Sequence, residues 1–278
     1  MSNNIKITLV NWFDNHWYKI EQENQEDRWF PSVNTKLGII DKPFLARWRG
    51  DIGNREADLQ MWESARKGSR IHLAWYLLYN QGVIIFNPIE NPQYNEQQIE
   101  ELKKENEVMV IQNQLEMWDI HKLQQWHERV NPKMRDNERI VYSIKNKDAG
   151  TLDKVFHIEA GEYEINGSKP LRLQSGLYIS DLKTGKSVYD EAYMQTAAYA
   201  NCFTEMTGLK INGSLIIHTG SKTKSGIPGL STHLRNYEQM REDYENYRAA
   251  ANLWDRFHKN DQPKIGTFPS LIKLKTNG

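Results

Sequence analysis

The stretch from Ala149 to Tyr199 constrains the fold of this chain more than any other. Two apolar runs carrying acids are followed by a helical pattern. The first run holds Asp153 within Gly150-Thr151-Leu152-Asp153-Lys154-Val155. The second, Gly176 to Thr184, alternates as a strand does. Side chains two apart on a strand share a face, so Asp181 and Lys183 project together. The helix over Tyr189–Thr207 sets Gln195 and Tyr199 one turn apart on one side, and Gly208 ends it as the residue after the last turn.

Composition narrows the class. The 278 residues can bury a sizeable core. Apolar residues are 38% and charged residues 26%, the balance of an ordinary folded protein. No apolar run approaches the roughly 20 residues of a membrane span, and the first ten residues lack the apolar segment of a signal peptide. Both point to the cytoplasm and to no membrane partner. One cysteine, Cys202, leaves no internal disulfide and no multi-cysteine zinc or iron–sulfur site. The 36 basic and 36 acidic residues cancel, which counts against a nucleic-acid partner. From Thr207 onward, however, eleven Lys and Arg face six Asp and Glu, so a local basic face is available.

The rest of the chain is punctuated by turns. Ile5–Val10 and His16–Ile20 alternate around Asp14-Asn15, which predicts a hairpin. Short helices are expected over Val33–Ile40 and Phe44–Arg49, and a long one over Asn54–Asn80, with Gly68 and His72 one turn apart on one side. Gly68 in a helix interior lets another backbone or a phosphate come close. Val83–Phe86 fits a short strand or a helix end, and Asn95–Glu128 a single helix. Strands are expected over Arg139–Ser143, Thr151–Glu159 and Leu177–Lys183 as an antiparallel meander, with a hairpin or loop over Gly161–Ser175. The long crossover through the next helix makes Ser214–His218 parallel to an earlier strand. A loop over Thr219–Ser231, a helix over Thr232–His258 and a strand over Phe268–Leu274 complete the pattern. The fold expected is α/β: a central mixed β-sheet flanked by helices, with an N-terminal hairpin and helical elaboration. It is read as one domain over 1–278: hairpin and short helices to 53, a helical part over 54–130, a core over 138–220 and a C-terminal loop, helix and strand over 221–278.

Two acids on neighbouring strands beside a lysine suit metal-assisted phosphodiester hydrolysis. Mg²⁺ prefers oxygen ligands and keeps several waters. Asp153 and Asp181 would supply carboxylates, with the backbone carbonyl of Leu182 beside them. Lys183 would orient the attacking water, help deprotonate it and offset charge at phosphorus. Each piece alone has a plainer reading: an Asp–Lys ladder on an edge strand, a satisfied core histidine at His72, a solvated Gln195, a packed Tyr199. Thr184-Gly185-Lys186-Ser187 is no phosphate-binding loop, because Ser180 stands where the first glycine belongs.

Taken together, Gly68 to His72, Ala149-Gly150-Thr151-Leu152-Asp153, Asp181-Leu182-Lys183-Thr184 and Gln195 to Tyr199 resemble, in order, the motifs of the PD-(D/E)xK nuclease superfamily. More narrowly the chain is similar to the RecB-like exonuclease branch found in phages and recombination enzymes. The resemblance covers about Pro31 to His218. It implies a restriction-endonuclease-like αβββαβ core and a metal held by His72, Asp153, Asp181 and the carbonyl of Leu182. Lys183 would be the catalytic lysine, with Gln195 and Tyr199 supporting the site or touching DNA. Glu138 matches an acid often seen just before the first core strand. Mg²⁺ is the implied cofactor, with Mn²⁺ as substitute. The cysteines of relatives that carry an iron–sulfur cluster are missing, so no cluster is expected. Pro31-Ser32-Val33-Asn34-Thr35, then Lys42-Pro43 and Trp48, resemble the N-terminal segment of phage members; in the host cytoplasm such a protein would act in recombination or DNA processing. Lys222, Lys224 and Arg235 are candidates for gripping DNA. A structure-selective endonuclease and a non-catalytic nucleic-acid-binding module stay open as alternatives. So do a second copy of the chain and a single-strand annealing or recombination protein as partners.

Overall fold

The computed structural model describes residues 5–13, 15–165, 170–220 and 229–264. The expected hairpin is β1 (Ile5–Trp12) against β2 (Asn15–Gln22), and an unforeseen third strand, β3 (Arg28–Pro31), pairs with β2. The Ser32 side chain caps α1 (Val33–Leu37), accepting from the Thr35 amide. Pro43 opens α2 (Pro43–Ile52), and α3 (Asn54–Tyr79) follows as the long helix anticipated.

The single helix expected over Asn95–Glu128 is three elements. β4 (Val83–Phe86) is followed by α4 (Glu96–Glu105), β5 (Val108–Ile111) and α5 (Gln114–Val130). Asn106 is extended at the end of α4 and Asn113 caps α5 through its side chain. The intervening Val-Met-Val-Ile pairs in parallel with β4. β-branched residues favour that pairing, and their apolar spacing had passed for a helical stripe.

The central sheet is built from β6 (Lys133–Ser143), β7 (Asp148–Ile158), β10 (Gly176–Lys183), β11 (Gly213–His218) and β12 (Ser231–Asn236). The segment between β7 and β10 holds a small hairpin, β8 (Gly161–Tyr163) with β9 (Leu171–Leu173). The sheet order is β12-β11-β10-β7-β6; β10 and β11 are parallel and the other neighbours antiparallel. The meander and the parallel return strand agree with the sequence reading. β12 does not: Thr232–Asn236 was expected as the start of a helix. The helix α7 (Tyr237–Phe257) begins only after Asn236, where Asn236 and Gln239 form a capping box. The strand expected over Phe268–Leu274 lies outside the described residues.

Every residue of β11 is buried, as a strand covered on both faces requires. α6 (Asp190–Thr207) packs on one face with α1 and α7, where Leu152, Val155, Ile179, Tyr199, Phe203 and Tyr247 form a core. Gly208, at φ 71°, takes the left-handed conformation that closes α6. α3 and α5 cover the other face through Ile71, Trp75, Leu123, Trp126 and Phe156. The chain is thus α/β, a mixed central sheet flanked by helices. Among the described residues no helix is long and apolar enough to cross a membrane.

Candidate active site

The site begins where two strands part. β10 and β7 pair up to Ser180 opposite Lys154 and no further. Beyond that point β10 stays with β11 as far as Lys183, and β7 stays with β6. The Leu182 amide, released from the ladder, donates to Asp153 Oδ2 at 2.9 Å. A buried amide needs a partner, so the fork itself fixes the Asp153 carboxylate. The Leu182 carbonyl meets His72 Nε2 at 3.0 Å, and His72 Nδ1 lies 3.4 Å from Asp153 Oδ2. Helix α3 delivers His72 from above the sheet. It passes close at Gly68, where a Cβ would stand 3.3 Å from Thr184 Oγ1.

Glu138 completes the group. On β6 its neighbours Asn137 and Arg139 pair with Lys154 and Leu152, which sets Glu138 across from Asp153. It is in the left-handed region, at φ 49°, a conformation that costs a non-glycine residue of order 1–3 kcal/mol. His72, Glu138 and Asp153 each offer one ligand atom, all within 4.8 Å of one another. Behind them Lys154 is fully buried, its Nζ 3.7 Å from Glu138 Oε1 and 4.3 Å from the centre of the Trp75 ring.

Asp181 and Lys183 share a face of β10, as expected, with Nζ 2.8 Å from Asp181 Oδ2. The two form a close ion pair, with Oδ2 buried. Lys183 also donates to Gln195 Oε1 at 3.0 Å, and Gln195 Nε2 donates to the Tyr199 hydroxyl at 3.2 Å. The Tyr199 ring lies against Gly150, where a Cβ would fall 2.2 Å from Cε1. Gln195 and Tyr199 therefore position the lysine, and Gly150 makes room for the tyrosine.

The charges are strongly coupled. Burial would raise Asp153, but His72 more than offsets it and holds that carboxyl below its usual range. Asp181 is raised, by burial first, against the opposing effect of Lys183 and with help from Asp153. Two carboxyls at one site are thus driven apart. Burial lowers His72, yet Asp153 and then Asp181 outweigh it and push the imidazole up to about 9. Burial likewise lowers Lys183, but Asp181 overcomes it and the ammonium is held above its ordinary value. A lysine so held is a positive charge and a hydrogen-bond donor.

The donor set suits a hard or borderline divalent cation: one imidazole, carboxylates and a carbonyl. His72 Nε2 and Leu182 O, hydrogen-bonded at 3.0 Å, both face the group and would be among the residues to hold such an ion.

Of the residues singled out in the sequence, His72, Glu138, Asp153, Asp181, Leu182, Lys183, Gln195 and Tyr199 converge here. Glu138, expected as an acid just before the first core strand, lies within β6 and joins His72 and Asp153, while Asp181 is engaged with Lys183. Arg235 sits on edge strand β12 over the Tyr193 ring at 3.9 Å, with Nε 3.2 Å from Asp243 Oδ2, so its charge is already matched. Lys222 and Lys224 lie outside the described residues. Sequence reasoning missed the buried Lys154. Its only signal was a lysine inside an apolar strand.

Compared with known proteins, the chain matches no family model and no curated sequence.

Proposed function

We propose that this protein is a divalent-cation-dependent DNA exonuclease with a restriction-endonuclease-like core, of the RecB-like branch of the PD-(D/E)xK superfamily. One observation carries the reading: His72, Glu138 and Asp153 gather within 4.8 Å at the fork that also presents Asp181 and Lys183. The order α3, β6, β7, β10, α6, β11 supports it: with β4, α4, β5 and α5 inserted after α3 and the β8–β9 hairpin before β10, it is compatible with the αβββαβ succession that the resemblance implies.

Asp153, Glu138, His72 and the Leu182 carbonyl would hold the ion, with Asp181, here paired with Lys183, beside them. Mg²⁺ or Mn²⁺, when bound, supplies Lewis acidity toward the phosphoryl oxygens and a water of lowered pKa. Lys183 offsets the negative charge that builds on the phosphoryl group as a fifth oxygen approaches, and donates to it. Gln195 holds Nζ in place, and Tyr199 holds Gln195. Preorganised donors of this kind contribute most because they need no rearrangement as charge develops.

Incubation with linear and circular DNA, single- and double-stranded, in Mg²⁺ or Mn²⁺ tests the proposal. The expected result is degradation of linear DNA with circular DNA spared, abolished by chelation. Lys183→Ala is expected to lose cleavage while keeping DNA binding. Nicking of circular DNA would shift the reading to an endonuclease, and binding without cleavage to a non-catalytic module. Wild-type-like cleavage by Lys183→Ala would refute the role given to the lysine.

A further inference from the structure

A cavity of about 310 Å³ opens beside the catalytic amine, between α1 and the start of α6. Lys183 and Gln195 form its floor, and Asn34, Lys42, Tyr189 and Glu191 are among its walls. Tyr189 stacks on Phe44, with ring centroids 5.2 Å apart and planes 17° from parallel. Both rings are about half exposed, at 49% and 50%. A stacked pair of large rings left half in water has open faces and no evident packing role. Lys42 is held at the rim by Glu191, 3.1 Å away. A larger cleft on the outer flank of α3 is less telling, since its Arg70 and Lys67 are already matched by Glu116 and Asp119.

We propose that this cavity receives one unpaired nucleotide next to the scissile phosphate, its base stacking on the Tyr189–Phe44 pair. The inference rests on the nuclease reading and deepens it. Three observations select this occupant. The cavity is continuous with the site, sharing Lys183 and Gln195, so its occupant must be joined to the reacting group. Its volume is at the small end of ligand pockets, the scale of a single nucleotide. Its walls combine an aromatic face with amide, carboxylate and ammonium groups, which suits a base of any identity stacked by its face and hydrogen-bonded at its edge. The substrate class that follows is a single-stranded or frayed end. A blunt duplex would have to unpair its terminal nucleotide to reach Lys183.

The test uses short single-stranded oligonucleotides carrying 2-aminopurine near either end, whose fluorescence is quenched on stacking. Ca²⁺ neutralises the acids during the measurement, its looser coordination being ill suited to hydrolysis. Wild-type protein is expected to quench the probe at one position. Tyr189→Ala should abolish that quenching and weaken binding by about 5- to 150-fold, the range of one lost base–aromatic stack. Phe44→Ala should weaken binding less, and Tyr189→Trp should restore both signals. Neither ring is buried, and Tyr189 receives the Ala192 amide through its backbone carbonyl, so the variants keep their fold. If Tyr189→Ala binds and quenches as wild type does while still cutting DNA in Mg²⁺, the cavity assignment is overturned and the nuclease reading stands. If wild type neither binds nor cuts any DNA, both fall together.

Discussion

Gly150 shows how one residue without a side chain can serve the proposed catalytic lysine three contacts away. A methyl group there would fall 2.2 Å from the Tyr199 ring. Gly150→Ala should therefore push Tyr199 aside, release Gln195 and slacken the hold on Lys183. The expected outcome is a stability loss of about 1–3 kcal/mol, typical of overpacking, with a larger fall in kcat than in DNA affinity. Restoration of stability, but not of kcat, in Gly150→Ala/Tyr199→Leu would separate packing from positioning; thermal melts and steady-state cleavage read the two. His72 offers a second check at this scale. With its folded pKa raised to about 9 from an unfolded value near 6.5, the protein binds more protons folded than unfolded in between. The stability His72 contributes is complete below 6.5 and is lost as pH rises through about 9. In chelator, melting temperature should fall between pH 7 and 9.5, and His72→Gln should flatten that fall. A cation needs the neutral imidazole, so divalent-ion affinity should climb over the same interval.

At the scale of elements, most boundaries were legible because local chemistry and tertiary packing agreed. The alternation of β1 and β2, the glycine after α6 and the alternation of β10 each state their own structure. The failures fall where a local pattern fits two periods. Val108 and Ile111 are one turn apart in a helix and also lie in a β-branched run, and only β4, twenty-odd residues away, decides in favour of the strand. β12 carries Thr, His, Leu and Arg, which no periodicity marks as a strand, yet it covers the edge of β11. The asparagine caps at Asn113 and Asn236 were the overlooked signals. Replacing either by Ala should lower stability by about 1 kcal/mol, measurable as a shift in the denaturation midpoint at unchanged slope. Within the site, the acid–lysine strand and the Gln195–Tyr199 helix were legible as short-range patterns. The place of Glu138 was not, because it depends on strand register and on a left-handed backbone at a residue that rarely adopts one.

At the scale of the whole molecule, a buried charge network joins the parts that hold the fork. Lys36 on α1 is fully buried and donates to Asp148 Oδ1 at 2.7 Å, with Asp255 of α7 at 2.9 Å; Arg248 of α7 donates to Asp148 Oδ2 at 3.3 Å. It ties α1 and α7 to the first residue of β7, the strand that carries Gly150 and Asp153. Lys36→Met leaves Asp148 buried with Arg248 as its remaining cation. The expected loss is about 3 kcal/mol or more by chemical denaturation. Lys36→Met/Asp148→Leu should recover part of it, since the fully buried charges are gone and Arg248, partly exposed, keeps Asn252 as a partner.

The central claim is that the fork between β7 and β10 holds one divalent cation beside Lys183. Titration of Mn²⁺ followed by its electron paramagnetic resonance signal tests that most directly, because Mn²⁺ takes the same oxygen ligands as Mg²⁺ and is paramagnetic. Saturable binding is predicted in wild type and in Lys183→Ala, with loss in Asp153→Ala. Absence of saturable binding in wild type, or binding in Asp153→Ala equal to wild type, would contradict the account.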